Sequence, residues 1–352
     1  MTKRDRPAVT TGVLCRAVII GCLSAAALAS ANPVTPQPWR EVVVSVTDTA
    51  RTARFFEEIG GFITLGSGAL SRSEIDAWGL PSGAQGHYQL LAPKHSPDGR
   101  IRLIDFDNSG YQQPMRPGAR AWDSGCYFSL MVRVKDIEAI YHDAIAMGWW
   151  TETPIAPLQF GDSSLRIVIF KGPDGLQVQS YERLSPPLPA AVGQFERMTR
   201  PFNVMQMVAD HSAAYQFFSE VLGFDTFYTG PPVTAPQPMV SPIGIPTALT
   251  TEVGYQAGIV YPVPGEYGRM EMIQVHGLSG ENYRHRCRAP NLGILAVRFP
   301  ATDLDAIETQ LRSSGQPVVR FNTVAWPNDE IVDLLETQSP DGALIQFFDA
   351  NP

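Results

Sequence analysis

Val204–Phe224 reads VMQMVADHSAAYQFFSEVLGF. A short apolar run of strand length is followed by Asp210, an amphipathic helical segment, and then Gly223-Phe224. Asp at a helix start accepts orphan backbone N–H groups and favours the positive end of the helix dipole. Gly after the last helical residue takes the left-handed cap. Residues Val42–Phe62 repeat the pattern with the same thirteen-residue interval, Asp48 to Gly61 and Asp210 to Gly223, and Phe55-Phe56 maps onto Phe217-Phe218.

Two further copies follow the same plan. One runs from Leu130 through Asp136 to Gly148, the other from Leu295 through Asp303 to Gly315, each with twelve residues from acid to Gly. The second and fourth copies close with Pro173-Asp174-Gly175 before LQVQSYE and Pro340-Asp341-Gly342 before ALIQFFD. The first has Pro97-Asp98-Gly99 before RIRLIDF, and the third has Gly265-Glu266-Tyr267-Gly268 before RMEMIQV. Such turns fix the entry to a final strand. Self-similarity at matched spacing identifies a repeat architecture. The expected fold class is α+β, with four βαβββ units arranged as two paired half-barrel domains. The expected pairs are 32–185 and 201–352, joined by a Pro-rich linker over 186–200. An insertion in the third unit, Gly230–Thr251, reads as a surface loop or as a lid over a ligand site.

Residues 1–31 stand apart. A basic start, a short apolar run (Ala17–Leu28) and Ala29-Ser30-Ala31 have the layout of a secretory signal peptide. The run is shorter than the roughly 20 residues a membrane span needs. Ile19-Ile20-Gly21-Cys22 also resembles a bacterial lipobox, so lipidation at Cys22 is the competing expectation. The expected location is periplasmic or secreted. The leader carries Lys3, Arg4, Arg6 and Arg16 against Asp5, so its removal takes the net charge from −8 to −11. An acidic chain does not attract nucleic acid or anionic lipid through its overall field. Cys126 and Cys287 survive cleavage and are free to pair in an oxidising compartment.

The repeat resembles the vicinal oxygen chelate superfamily, which includes glyoxalase I, the bleomycin-resistance and fosfomycin-resistance proteins and the type I extradiol dioxygenases. The resemblance covers about Trp39 to Phe348. It implies metal ligands on the first strand, about seven residues before the capping Asp, and on the last strand, about four after the turn Gly. Here those positions hold Glu41 and Leu103, Ser129 and Gln179, Asn203 and Met272 (with Glu271 beside it), and Gly293 or Ile294 with Gln346. None is His, and amides and hydroxyls are weak ligands for first-row transition metals. The expectation is therefore no cofactor, with a divalent metal as the minor alternative. Among the six His, His87 is the best site candidate; His95, His142, His211, His276 and His285 read as surface or helix residues.

The expected function is binding or transformation of a small organic, possibly aromatic, molecule. Glu41 would be the general base, with burial raising its pKa. Ser129, Gln179, Asn203, Glu271, Gln346 and His87 would line the substrate. Proton abstraction of this kind implies isomerase or lyase chemistry. A metal-dependent dioxygenase or glyoxalase-like enzyme with displaced ligands, and a non-catalytic sequestering protein of bleomycin-resistance type, are the alternatives.

Overall fold

A computed structural model describes residues 36–349, apart from 95, 97, 119 and 327–329. The expected leader, the lipobox and His95 lie outside the described residues. The first unit contains β1 (Glu41–Ser45), α1 (Thr49–Arg54), β2 (Phe62–Ala69), α2 (Arg72–Ala77), β3 (Gln85–Pro93) and β4 (Arg100–Asp107). The second contains β5 (Tyr127–Arg133), α3 (Ile137–Ala146), β6 (Trp150–Thr151), β7 (Ala156–Phe160), β8 (Ser163–Lys171) and β9 (Gln177–Ser185). The third contains β10 (Asn203–Met207), α4 (His211–Gln216), β11 (Asp225–Thr229), β12 (Gly254–Tyr261) and β13 (Arg269–His276). The fourth contains β14 (Gly293–Ala301), α5 (Leu304–Ser313), β15 (Val319–Ala325), β16 (Ile331–Gln338) and β17 (Leu344–Asp349).

Each repeat acid caps its helix. Asp48, Asp136, Asp210 and Asp303 accept from the backbone N–H of Arg51, Ala139, Ala213 and Ala306 at 2.9, 3.1, 3.1 and 2.8 Å. Gly61 and Gly223 close the first and third helical segments at φ +75° and +70°, where a Cβ would be strained. Both α1 and α4 run on into a π-helical turn, Phe55–Ile59 and Phe217–Val221. Each turn drives a Phe-Phe pair into the core edge to face, with ring centroids 5.3 and 5.2 Å apart.

The sheets pair differently from the sequence expectation. One eight-stranded sheet runs β15-β16-β17-β14-β1-β4-β3-β2, and one nine-stranded sheet runs β11-β12-β13-β10-β5-β9-β8-β6, with β7 on β8. The first unit thus pairs with the fourth, and the second with the third. Glu41 lies opposite Arg298 across β1 and β14, and Asn203 opposite Met131 across β10 and β5. Consecutive units instead meet through their helical faces: Phe55 stacks on Trp149 at 3.9 Å, and Phe224 packs on Phe299 at 5.6 Å. One continuous core joins these faces. The 186–200 segment is anchored rather than free, since Thr199 and Arg133 exchange hydrogen bonds of 2.9 and 3.0 Å. No helix among the described residues is long and apolar enough to cross a membrane.

Cys126 and Cys287 form a disulfide that ties the approach to β5 to the approach to β14, and so one sheet to the other. It spans a sequence separation of 161. Replacing both cysteines by Ser should lower the unfolding free energy by about 2–5 kcal/mol, chiefly by freeing the unfolded chain. Equilibrium urea denaturation measures this; an unchanged midpoint and slope would show that the crosslink contributes nothing.

Candidate functional site in the second half-barrel

Each sheet turns a concave face away from the shared core. On the first, Glu41 is 2% exposed and lies between two guanidinium groups. Arg102 grips it in a fork, Nε to Oε1 at 2.9 Å and Nη2 to Oε2 at 3.0 Å. Arg298 donates to Glu41 at 2.8 Å, to Gln346 Oε1 at 2.7 Å and to Glu74 Oε1 at 3.1 Å. Gln346 passes the chain on to Glu336 Oε2 at 2.7 Å. Glu74 descends from α2, which roofs this face and is held to β15 by Ser71 Oγ to the Ala325 carbonyl at 2.7 Å and Ala325 N–H to Ser73 at 2.9 Å.

Burial by itself raises the Glu41 pKa, but the charges and hydrogen bonds of Arg102 and Arg298 outweigh it and hold the carboxyl at about 2. The expectation of Glu41 as a general base with a raised pKa is therefore corrected. A carboxylate held this firmly ionised, with both oxygens occupied by guanidinium donors, has little proton affinity to offer a substrate.

The second concave face carries the opposite electrostatics. Asn203 Nδ2 donates to Glu271 Oε2 at 2.8 Å. Gln179 Nε2 donates to Ser129 Oγ at 2.6 Å, and Gln179 Oε1 accepts from the Tyr181 hydroxyl at 2.8 Å. Glu271 is half-buried with no guanidinium on its oxygens among the hydrogen bonds described, so burial pushes its carboxyl up to about 7; Asn203 and Arg269 only partly offset this. Tyr181 is also pushed well above its ordinary range, by burial and by the nearby Glu271. Asn203 Oδ1 is buried with no partner among the described residues. Met131, Met205, Ile169 and Ile273 form the apolar floor, and Phe202 packs at its margin. The insertion crosses this face: Ile243 packs on the floor, and Val233 bridges Tyr255. The end strands are drawn together where Phe160 of β7 meets Tyr228 and Phe227 of β11, with centroids 5.3 and 6.5 Å apart.

The six inward candidates are thus regrouped. Sequence reasoning set Glu41 with Ser129 and Gln179, and Asn203 and Glu271 with Gln346. The structure joins Glu41 to Gln346, and Ser129 and Gln179 to Asn203 and Glu271, because the units pair across the halves. The last-strand count held in the second and fourth units, where Gln179 and Gln346 face the sites, and was one residue long in the first and third: Leu103 and Met272 belong to the shared core, while Arg102 and Glu271 face the sites. Arg298 was missed. Counting seven back from Asp303 with no allowance for an insertion lands on Ala296, and Arg298 is two further along the same strand face.

His87 does not reach either site. Its neighbours Tyr88 and Leu90 belong to the first concave face, so its own side chain, 56% exposed, lies on the outer face beside Asp105. Thr49 of α1 donates to that same Asp105 at 3.3 Å. Among the described residues, His87, Asp105 and Asp107 bring three possible ligand atoms within 4.8 Å of one another, on this outer surface. Surface cavities of about 420 and 430 Å³ beside the linker, lined in part by Arg200 and Tyr267, share no residue with the two concave clusters above.

Neither concave face offers donors that suit a first-row transition ion. In the first, two guanidinium groups occupy the ground between Glu41, Glu74 and Gln346, and they repel cations. In the second, one carboxylate stands with two amides and two hydroxyls, with neither imidazole nor thiolate among these described residues.

No family model and no curated protein matches the chain. Among solved structures it is similar to glyoxalase I from Zea mays, with a TM-score of 0.59 at 13% identity over 89% of this chain and 92% of that one. It is also similar to a putative dioxygenase from Bacillus subtilis, with a TM-score of 0.52 at 9% identity over 91% of this chain and 87% of that one. The chain has the vicinal oxygen chelate fold. At this identity the likeness defines the fold and leaves the chemistry to the side chains.

Glu41 is depressed in the folded state, from 4.5 to about 2. Its stabilisation is present above its unfolded pKa and is lost as pH falls from about 4.5 through about 2. Glu41→Gln should cost about 3–5 kcal/mol at neutral pH, because it leaves two buried guanidinium groups short of a counter-charge. Its deficit against the native chain should shrink over that acid window. Chemical denaturation across pH checks both; a deficit independent of pH would contradict the ion pairing.

Proposed function

We propose that the second half-barrel binds a small, flat organic molecule and moves a proton to or from it with Glu271, without a metal. The observation that carries this reading is the Glu271 carboxyl, hydrogen-bonded to Asn203 and set on an apolar, thioether-rich floor whose burial pushes its pKa up to about 7. A general base is most effective when its pKa lies near the working pH. Asn203 holds one Glu271 oxygen and leaves its own Oδ1 for a donor on the ligand. Gln179, fixed between Ser129 and Tyr181, supplies orientation. Methionine thioethers adapt to flat ligands and favour aromatic ones, and few polar groups on an apolar wall is the usual composition of such sites. This chemistry is isomerase- or lyase-like. If binding occurs without turnover, the same cleft is a sequestering site.

We further propose that the chain is exported, with the leader removed after Ala31. The leader's layout supports this, as does the Cys126–Cys287 disulfide, a bond that persists in oxidising compartments. Mass spectrometry of the mature N-terminus tests it; a lipidated Cys22 or an uncut leader would contradict it.

Thermal shifts with a panel of phenols, diketones and hydrophobic antibiotics should identify a binder, since a ligand specific to the folded state raises stability by mass action. Any turnover of that binder should rise through pH about 7 as Glu271 ionises. Glu271→Gln should reduce turnover by at least about 10²-fold while leaving binding within a few-fold. Full activity in Glu271→Gln would remove Glu271 from the role of base. Stoichiometric iron, manganese, nickel or zinc in protein purified without chelator would overturn the metal-independent reading.

A further inference from the structure

The first half-barrel has more polar capacity than its ion network uses. Three buried donors there have no partner among the described residues: Arg102 Nη1, Trp78 Nε1 and Trp326 Nε1. One buried acceptor, Glu74 Oε2, is in the same position. Their residues are 3, 7, 5 and 1% exposed, respectively. They come from three parts of the chain. Arg102 stands on β4, Trp326 follows β15, and Glu74 and Trp78 come from the α2 roof. The guanidinium contacts bring them together. Arg298 lies over Trp326 at 4.5 Å and over Trp78 at 5.3 Å, while Arg102 lies over Tyr88 at 5.4 Å and Trp326 at 5.7 Å. The remaining donors of Arg102, Nε and Nη2, are committed to Glu41, and those of Arg298 to Gln346, Glu41 and Glu74.

Buried polar groups are ordinarily partnered, and four orphans around one pair of guanidinium groups require an explanation. We propose that this cluster of unpartnered groups binds a small oxyanion that also carries a hydroxyl, held between the floor of β4 and β14 and the roof of α2. The oxyanion oxygens accept from Arg102 Nη1 and the two indole N–H groups. The hydroxyl donates to Glu74 Oε2. Hydrogencarbonate is the smallest species with both functions, and dihydrogen phosphate is a larger one. An ion with oxygens alone leaves the Glu74 acceptor unmatched and faces its charge. The two guanidinium groups balance Glu41 and Glu74, and burial pushes the neighbouring Glu336 carboxyl up, which lessens the negative charge an incoming anion meets. The site is separate from Glu271 and stands or falls independently of the function proposed for the second half-barrel.

Hydrogencarbonate and acetate are close in size and differ by a hydroxyl against a methyl, which provides a direct test. The mature protein is melted against increasing hydrogencarbonate, phosphate, acetate and chloride at constant ionic strength. Hydrogencarbonate or phosphate should raise Tm in a saturable way by at least about 2 °C, with acetate and chloride well behind. Trp78→Phe and Trp326→Phe keep an aromatic ring and remove only the indole donor; each should weaken the response at least about tenfold. Glu271→Gln should leave it unchanged. No saturable rise, equal effects of hydrogencarbonate and acetate, or an undiminished response in both Phe variants would overturn the proposal. A crystal structure grown in hydrogencarbonate with ordered water alone between the two indoles would do the same, and it does not depend on the variants folding.

Discussion

The contact between Glu41 and Arg298 reaches across 257 residues and joins the first repeat unit to the last. It sits on the strand pair β1–β14, the seam on which the eight-stranded sheet is centred. Two buried charges are costly to desolvate, so a pair of this kind contributes little beyond an apolar contact of the same shape. What it does impose is a partner. Arg102 serves Glu41 from within its own unit, whereas a fully buried Arg298 on β14 is unfavourable beside any neighbour without a carboxylate, and Glu41 on β1 supplies one. With the outer units locked together, the second and third pair with each other, and the disulfide between Cys126 and Cys287 holds the two sheets in that arrangement.

The same pairing produces two half-barrels of related geometry and opposite character. Asn203 and Glu271 correspond to Glu41 and Arg102 at their strand positions. In the first half-barrel the carboxylate stands on β1 and the guanidinium on β4, with a second guanidinium from β14. The result is a carboxyl held at about 2 under a roof anchored to β15. In the second, an amide replaces the first-strand carboxylate and a carboxylate replaces the last-strand guanidinium, with Arg269 acting only from a distance. The result is a carboxyl at about 7 on a floor of methionines. A small change in side-chain type at equivalent positions converts an ion lock into a group able to exchange protons near neutrality.

Much of this was legible in the sequence because it is local. Asp caps, closing Gly residues and Phe-Phe pairs recur at fixed spacing, and each is explained within a dozen residues of chain. The partner of each unit was not legible. Nothing within a repeat states whether its first strand pairs with the next unit or with one 250 residues away, and consecutive elements are neighbours often enough to make the wrong expectation the natural one. The inward faces depended on a one-residue count, and a shift of one turns every side chain of a strand to the other side. That is why the count landed on Leu103 in place of Arg102, and on Met272 with Glu271 only as its neighbour. Arg298 was hidden for a related reason, since an arginine within an apolar strand shows no purpose until Glu41 is found opposite it. The Glu41 pKa was misjudged in sign because burial was visible in the sequence and its two guanidinium partners were not.

The central claim is that the two half-barrels hold their glutamates in opposite electrostatic states. A carbon-13 NMR titration of labelled glutamate carboxyls, with Glu271→Gln for assignment, measures this directly. The expected result is one buried carboxyl titrating near 7 that vanishes in the variant, and a Glu41 resonance that stays ionised down to about pH 3. Titration of Glu271 in the ordinary range near 4.5, or a midpoint for Glu41 at or above it, would contradict the account.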